Sequence, residues 1–223
     1  MLYIYTLTYT MINHLRAYLL FIFVSLFSTP SFCQDNTERV DKLYSMSGIG
    51  LSLPVGESSN FMRAKFSTTV GVNLGLGNQG LFLYPQLSLH VFGYDNTEMD
   101  AKSNYILNQG RASSYLLNVA LGYRKITGKF AFYGFIGGGG GFILTPRAVV
   151  DAGANTVTLN NKTNHIGIIQ PGAGVEYNLG GTNFFVEGSY MRGLGKIGDY
   201  TFKTVPITVG IKPNLSKLFY KSK

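Results

Sequence analysis

A single cysteine, Cys33, is all the thiol chemistry that this chain of 223 residues holds. It closes an N-terminal stretch that reads as a signal peptide over residues 1–33. His14 and Arg16 precede a short apolar core at 19–27, and the small residues Ser28, Thr29 and Ser31 follow it. Cleavage before Gln34 leaves a mature chain without cysteine, which excludes disulfides and thiolate metal sites. Phe32, directly before Cys33, argues against a lipid-modified cysteine, whose site takes a small residue there. Met11 is an alternative start, because residues 1–10 carry no charge. Long apolar runs are also lacking. The core at 19–27 falls short of the roughly 20 residues that a spanning helix needs, so it is not an anchor.

Charge is scarce as well. Charged residues make up 13% of the chain, against about 25% in ordinary soluble domains. Acids are the scarcer sign, 11 against 19 bases, for a formal net charge of +8. Nucleic acid is the first partner such a charge suggests. The bases are scattered, however, with no run of Lys or Arg and no basic helix, so nucleic acid is excluded as a partner. Anionic lipid headgroups, or simply solvated loops and ends, account better for the excess.

What the chain has in quantity is glycine, 28 residues, together with 15 tyrosines and 16 phenylalanines. The aromatic and aliphatic residues recur with period two. In residues 81–94, Leu81, Leu83, Leu87, Leu89 and Val91 share one face, and Tyr84, Gln86, Ser88 and His90 the other. A strand turns alternate side chains to opposite faces, so one face is apolar and the other largely polar. Eight such stretches are expected, at about 44–53, 61–76, 81–94, 112–124, 130–144, 165–179, 183–194 and 203–212. The fifth is ambiguous, because both its faces are apolar or glycine. Residues 34–43 form a polar lead-in. Residues 214–223, past the barrel, are either a tail or the end of the last strand.

The connectors alternate in length. Those at 77–80, 126–129 and 180–182 are tight and rich in Gly, Asn and Thr, as hairpin turns are. Those at 54–60, 95–111, 145–164 and 195–202 are longer and mostly polar. Short turns at one end and long loops at the other, behind a secretory signal, predict an all-β, eight-stranded, antiparallel up-and-down transmembrane barrel spanning 44–213. It would lie in the outer membrane of a Gram-negative cell, with loops outside and both termini in the periplasm. A soluble ligand-binding barrel is the alternative, but it would turn its apolar face inward. Here Tyr115, Tyr123, Tyr133, Tyr177 and Tyr190 fall near strand ends, as an interfacial girdle would require.

Strand texture such as Gly172-Ala173-Gly174-Val175-Glu176-Tyr177, together with the architecture over 44–213, resembles the small outer-membrane β-barrel families, OmpA-like and OmpX-like, and the PorT-like barrel domain. The resemblance implies a fold and no single function. The chain departs from it by running past Phe219 and Tyr220 to Lys221-Ser222-Lys223, where such chains typically end on an aromatic residue. It implies outer-membrane lipid and lipopolysaccharide, and the barrel-assembly machinery, as partners. A protein partner at the loops is a further expectation.

Two sets of residues could carry chemistry. By strand parity Arg63 and Lys65 are expected inside near the loop end, and Arg124, Glu176, Glu187 and Lys212 inside towards the turn end. Charges in a narrow interior must pair, since an unpaired one is costly. They read as a plug, or else as a gate. His90, His165 and Ser114 gather at the loop end, where with Glu98 or Asp100 they could form a hydrolase triad of the kind a lipid A enzyme uses. No local His-x-Ser arrangement supports that. Two distant histidines give no metal-ligand spacing, and no cofactor is expected. The run at 137–141 lacks the Lys-Ser/Thr of a phosphate loop and reads as packing. The expected role is a non-enzymatic membrane scaffold presenting its loops. The alternatives are a narrow pore or an accessory of a secretion or assembly machine.

Overall fold

The computed structural model describes residues 42–77, 79–96, 107–151, 153, 156–197 and 200–216. The expected signal segment, most of the lead-in, residues 217–223, and the acids Glu98 and Asp100 lie outside them. The strands are β1 (Leu43–Pro54), β2 (Met62–Leu76), β3 (Leu81–Asn96), β4 (Leu107–Thr127), β5 (Phe130–Asp151), β6 (Thr156–Asn178), β7 (Thr182–Ser189), β8 (Met191–Ile197) and β9 (Tyr200–Pro213). A short 3-10 helix, Gly56–Asn60, follows β1. No helix among the described residues is long and apolar enough to cross a membrane. Strands that pair into a ring can do so, because a closed ring leaves no backbone edge to lipid.

Every neighbouring pair is antiparallel, and β1 pairs with β9 to close the ring. The nine strands make eight staves. β7 and β8 keep a single register against β6, with Gly172 opposite Ser189 and Ile169 opposite Arg192. The break falls at Tyr190, opposite Pro171, whose nitrogen has no hydrogen to give. Instead the Tyr190 N–H donates to the Pro171 carbonyl at 2.9 Å. On the other side of the stave the register puts Pro206 opposite Ser189. Two prolines thus remove donors on both flanks of one spot, and the ladder lapses there.

The two faces of the wall follow the alternation. Leu117, Ile136 and Leu194 point outward and are 59%, 61% and 67% exposed, within a belt that includes Ile49, Leu51, Val70, Leu87, Phe132, Phe184 and Val209. Tyr115, Tyr123, Tyr177 and Tyr190 also face out. Such a belt is stable only against lipid chains. Tyr133 does not join the girdle. Its position on β5 has inward parity, and it is buried in the lumen.

The connectors depart from expectation at the loop end. Residues 145–164 are a continuation of the β5–β6 hairpin, paired from Thr145 with Lys162 up to Asp151 with Thr156. The last rung that β5 shares with β4 is Ser113 with Leu144. Beyond it, among the described residues, the β5–β6 ribbon pairs only with itself for seven rungs, roughly 24 Å at about 3.4 Å per residue. Likewise β8 reaches Ile197 and β9 starts at Tyr200, so most of 195–202 is strand. Between β3 and β4, Asn96 pairs with Leu107. At the opposite end the turns are tight. Gly80 (φ 82°) and Gly128 (φ 59°) take left-handed backbone that other residues adopt only under strain. The first and last of the described residues meet there too. Ser216 Oγ accepts hydrogen bonds from the Lys42 and Leu43 backbone N–H groups at 3.0 and 2.9 Å.

Candidate functional site

The lumen is where the sequence places its buried charge, and its side chains fill it in three levels. At the turn end Glu176 is the hub. Lys212 Nζ lies 2.9 Å and Arg124 Nη2 3.1 Å from Glu176 Oε1. Asn183 Nδ2 donates to Oε2 at 3.0 Å, and Asn178 Nδ2 donates to Asn183 Oδ1 at 2.7 Å. Glu187 lies one step further up, accepting from the Tyr133 hydroxyl at 2.8 Å. The Tyr84 hydroxyl lies between Glu187 Oε1 and Met46 Sδ. Aromatic rings enclose both cations. Lys212 Nζ is 4.0 Å from the Tyr133 ring centre and 4.7 Å from that of Phe185, while the Arg124 guanidinium is 5.1 Å from Tyr44 and 5.2 Å from Phe82. Ring faces are attractive to cations and dry enough to strengthen the ion pairs they surround.

Glycines in the wall make room for those rings. A Cβ at Gly122 would meet Phe82, one at Gly172 would meet Phe135, and one at Gly174 would meet Tyr133. Sequence reasoning placed Arg124, Glu176, Glu187 and Lys212 at this level, and the structure brings all four together. It missed Tyr84, Tyr133 and Asn183, which complete the cluster. The parity of Tyr84 and Asn183 was readable and that of Tyr133 was not, and only the carboxylates' need for donors points to all three.

The middle level is uncharged. Gln170 Oε1 accepts from Asn118 Nδ2 at 2.8 Å and from Gln86 Nε2 at 3.2 Å, and Gln170 Nε2 donates to Ser189 Oγ at 2.9 Å. Ser67 Oγ and His90 Nδ1 share a hydrogen bond of 2.8 Å. The loop-end level is apolar. Met62, Phe92, Leu116, Ile143, Ile168, Met191 and Phe202 are buried in one cluster that caps the levels below.

Three expectations about site residues are corrected by this geometry. Arg63 and Lys65 do not enter the lumen. The β2–β3 register slips between Ala64 and Phe66, so Lys65 is an extra residue in a β-bulge and parity reverses across it. Met62 takes the inward position, and the Arg63 side chain is 81% exposed, bridged to Asp95 at 3.1 Å. His165 faces outward opposite Phe142, on the other side of the wall from His90. Ser114 does not face the His90 ring, since its hydroxyl donates to the His90 carbonyl at 3.4 Å. The histidine has a serine after all, Ser67, but both are fully buried beneath the apolar cluster. A nucleophile there would have no route to a substrate. Among the described residues no group of three His, Cys, Asp or Glu could hold a metal.

No protein-family model and no curated protein matches the chain. Solved structures do. The crystal structure of Neisserial surface protein A superposes with a TM-score of 0.53 at 11% identity, covering 77% of this chain and 96% of that one. The attachment invasion locus protein of Yersinia pestis, solved with the heparin analogue sucrose octasulfate, gives 0.45 at 17% identity, covering 77% and 99%. The N-terminal β-barrel domain of Pseudomonas aeruginosa OprF gives 0.39 at 12%, covering 77% and 98%. The fold is that of a small outer-membrane β-barrel.

Proposed function

We propose that this chain is a closed, non-enzymatic barrel of the Gram-negative outer membrane, a rigid mount that holds the β5–β6 ribbon out from the cell. The observation that carries this reading is the filled lumen. An ionic level, an amide level and an apolar cap follow one another along the axis, each made of buried side chains. A pore needs a continuous wet path, and the cap of Met62, Phe92, Leu116, Met191 and Phe202 lies across it. With the inside packed, the surfaces left to act are the ends, and among the described residues the ribbon rises seven rungs past its last pairing with β4.

Three measurements test this. The membrane fraction should hold a form that migrates faster unboiled than boiled. The refolded protein in a planar bilayer should give no resolved single-channel steps, and regular steps would revive the pore. A membrane-impermeant maleimide should label an Asn160→Cys variant on intact cells, because Asn160 is exposed on the ribbon. Absence of label on intact cells, with label after lysis, would reverse the orientation.

The ribbon should also be separable from the barrel. Its rungs above Leu144 pair only β5 with β6. Replacing residues 146–161 by a two-residue Asn-Gly turn should leave the heat-modifiable form and its urea midpoint unchanged. Loss of the folded form would show that the ribbon is part of the barrel's own stability.

A further inference from the structure

The bulge at Lys65 does more than reverse parity. It turns Arg63 and Lys65 both to the outer surface, and the register continues from Arg63 through Gly93 to Arg111 across β2, β3 and β4. Arg111 is exposed as well. Gly93 supplies no side chain between them. A Cβ there would lie 3.4 Å from Lys65 Cε and 3.5 Å from Arg63 Cβ, so the two bases lean over this glycine. Asp95 is the acid the structure sets beside them, 3.1 Å from Arg63, which leaves a local excess of positive charge among the described residues. Directly below stand the exposed Phe66, opposite a buried Val91, and the exposed Tyr115, opposite Leu89, at the upper rim of the apolar belt.

A basic cluster on the outer wall, one step above a lipid-facing belt, is placed for an amphipathic ligand with acyl chains below and anionic groups above. Free phosphate would gain nothing from the belt. Arg63 and Arg111 are two strand spacings apart, roughly 10 Å, a width that suits a headgroup with more than one phosphate on a rigid sugar. Arginine forks pair with phosphate oxygens two at a time. The geometry points to a binding site for a phosphorylated glycolipid of the outer leaflet, formed by Arg63, Lys65 and Arg111 over Gly93. This rests on the loop end facing outward, which the Asn160→Cys label tests independently of any binding.

The test is native mass spectrometry of the full mature protein, refolded in detergent, with bis-phosphorylated lipid A as the probe. Detergent removes any dependence on orientation. The wild type should retain lipid A, and the R63Q/K65Q/R111Q variant should lose at least tenfold in affinity. A control of equal charge change at the opposite rim, K42Q/K125Q/K129Q, should lose less than twofold. All six side chains are on the surface, so both variants should keep the heat-modifiable form. If the triple variant fails to fold, R111Q alone, remote from the bulge, should lose about threefold. Equal retention of dephosphorylated lipid A or of phosphatidylglycerol would overturn the proposal, as would equal losses in the two triple variants.

Discussion

Replacing Glu176 by Gln should lower the urea midpoint of the folded barrel in vesicles, at a cost of about 3–5 kcal/mol, the range for breaking a buried ion pair from one side. Glu176 holds two cations at once, Lys212 at 2.9 Å and Arg124 at 3.1 Å, in surroundings where all three side chains are nearly inaccessible to water. The cluster has two bases and two acids, so it is formally neutral. Gln keeps the size and one acceptor oxygen but leaves both cations against Glu187 alone. The barrel interior offers them aromatic faces, which reduce the penalty without cancelling it.

Charge balance in the cluster predicts more than a loss. Lys212→Met should fit among the rings of Tyr84, Tyr133 and Phe185 and should also destabilise, because it leaves Glu176 and Glu187 with Arg124 alone. The double variant E176Q/K212M restores neutrality with Arg124 and Glu187. It should be more stable than the sum of the two losses implies, by about 1–3 kcal/mol of coupling. Strictly additive losses would mean that the residues act by volume and not by charge. A midpoint for E176Q equal to wild type would remove the cluster from the stability of the barrel altogether.

The parts of this architecture that could be read from the residues share one cause. Where a strand separates lipid from lumen, each residue's face is imposed by solvent, and the alternation records it. Leu117, Val119 and Leu121 against Asn118, Ala120 and Gly122 show it on β4. Alternation misleads where that pressure is absent or locally offset. Lys65 leaves no compositional trace of its bulge, because one inserted residue looks like any other, and every face assigned above it was reversed. The ribbon beyond Leu144 reads as a loop because residues 145–164 are mostly small and polar, with no sustained apolar stripe. Pairing there needs backbone hydrogen bonds and no apolar stripe. His165 is a different failure, since its parity with Ile169 and Ala173 is legible and places it outward. Tyr133 stands on the one strand whose two faces, both apolar or glycine, give no parity to read. The Ser67–His90 pair lies below the bulge, in the register that the 77–80 turn sets from Leu76 opposite Leu81 onward, so it was within reach of the sequence.

Adding a methyl group at Gly141 should prevent the folded barrel from forming, though the same change at Gly138 should be tolerated. The run at 137–141 lies along β5 with 137, 139 and 141 at inward parity. There the wall curves so tightly onto β4 that an added Cβ at Gly141 would fall on the Tyr115 carbonyl oxygen, and one at Gly139 on that of Leu117. These are backbone atoms, already committed to the ladder, and they cannot rotate aside as a side chain would. Ordinary overpacking costs about 1–3 kcal/mol when neighbours can shift. Here relief requires opening the β4–β5 seam, so the expected cost for G141A or G139A lies at or above that range. At Gly138 the nearest atom to an added Cβ is the Ile168 carbonyl oxygen at 3.6 Å, an ordinary contact. The measurement is the fraction of heat-modifiable protein after refolding each variant side by side. Near-complete folding of G138A with failure of G141A would establish the inward glycines as the hinge on which this narrow barrel closes. Equal folding of both would mean that the seam is slack and that the glycines serve some need other than curvature.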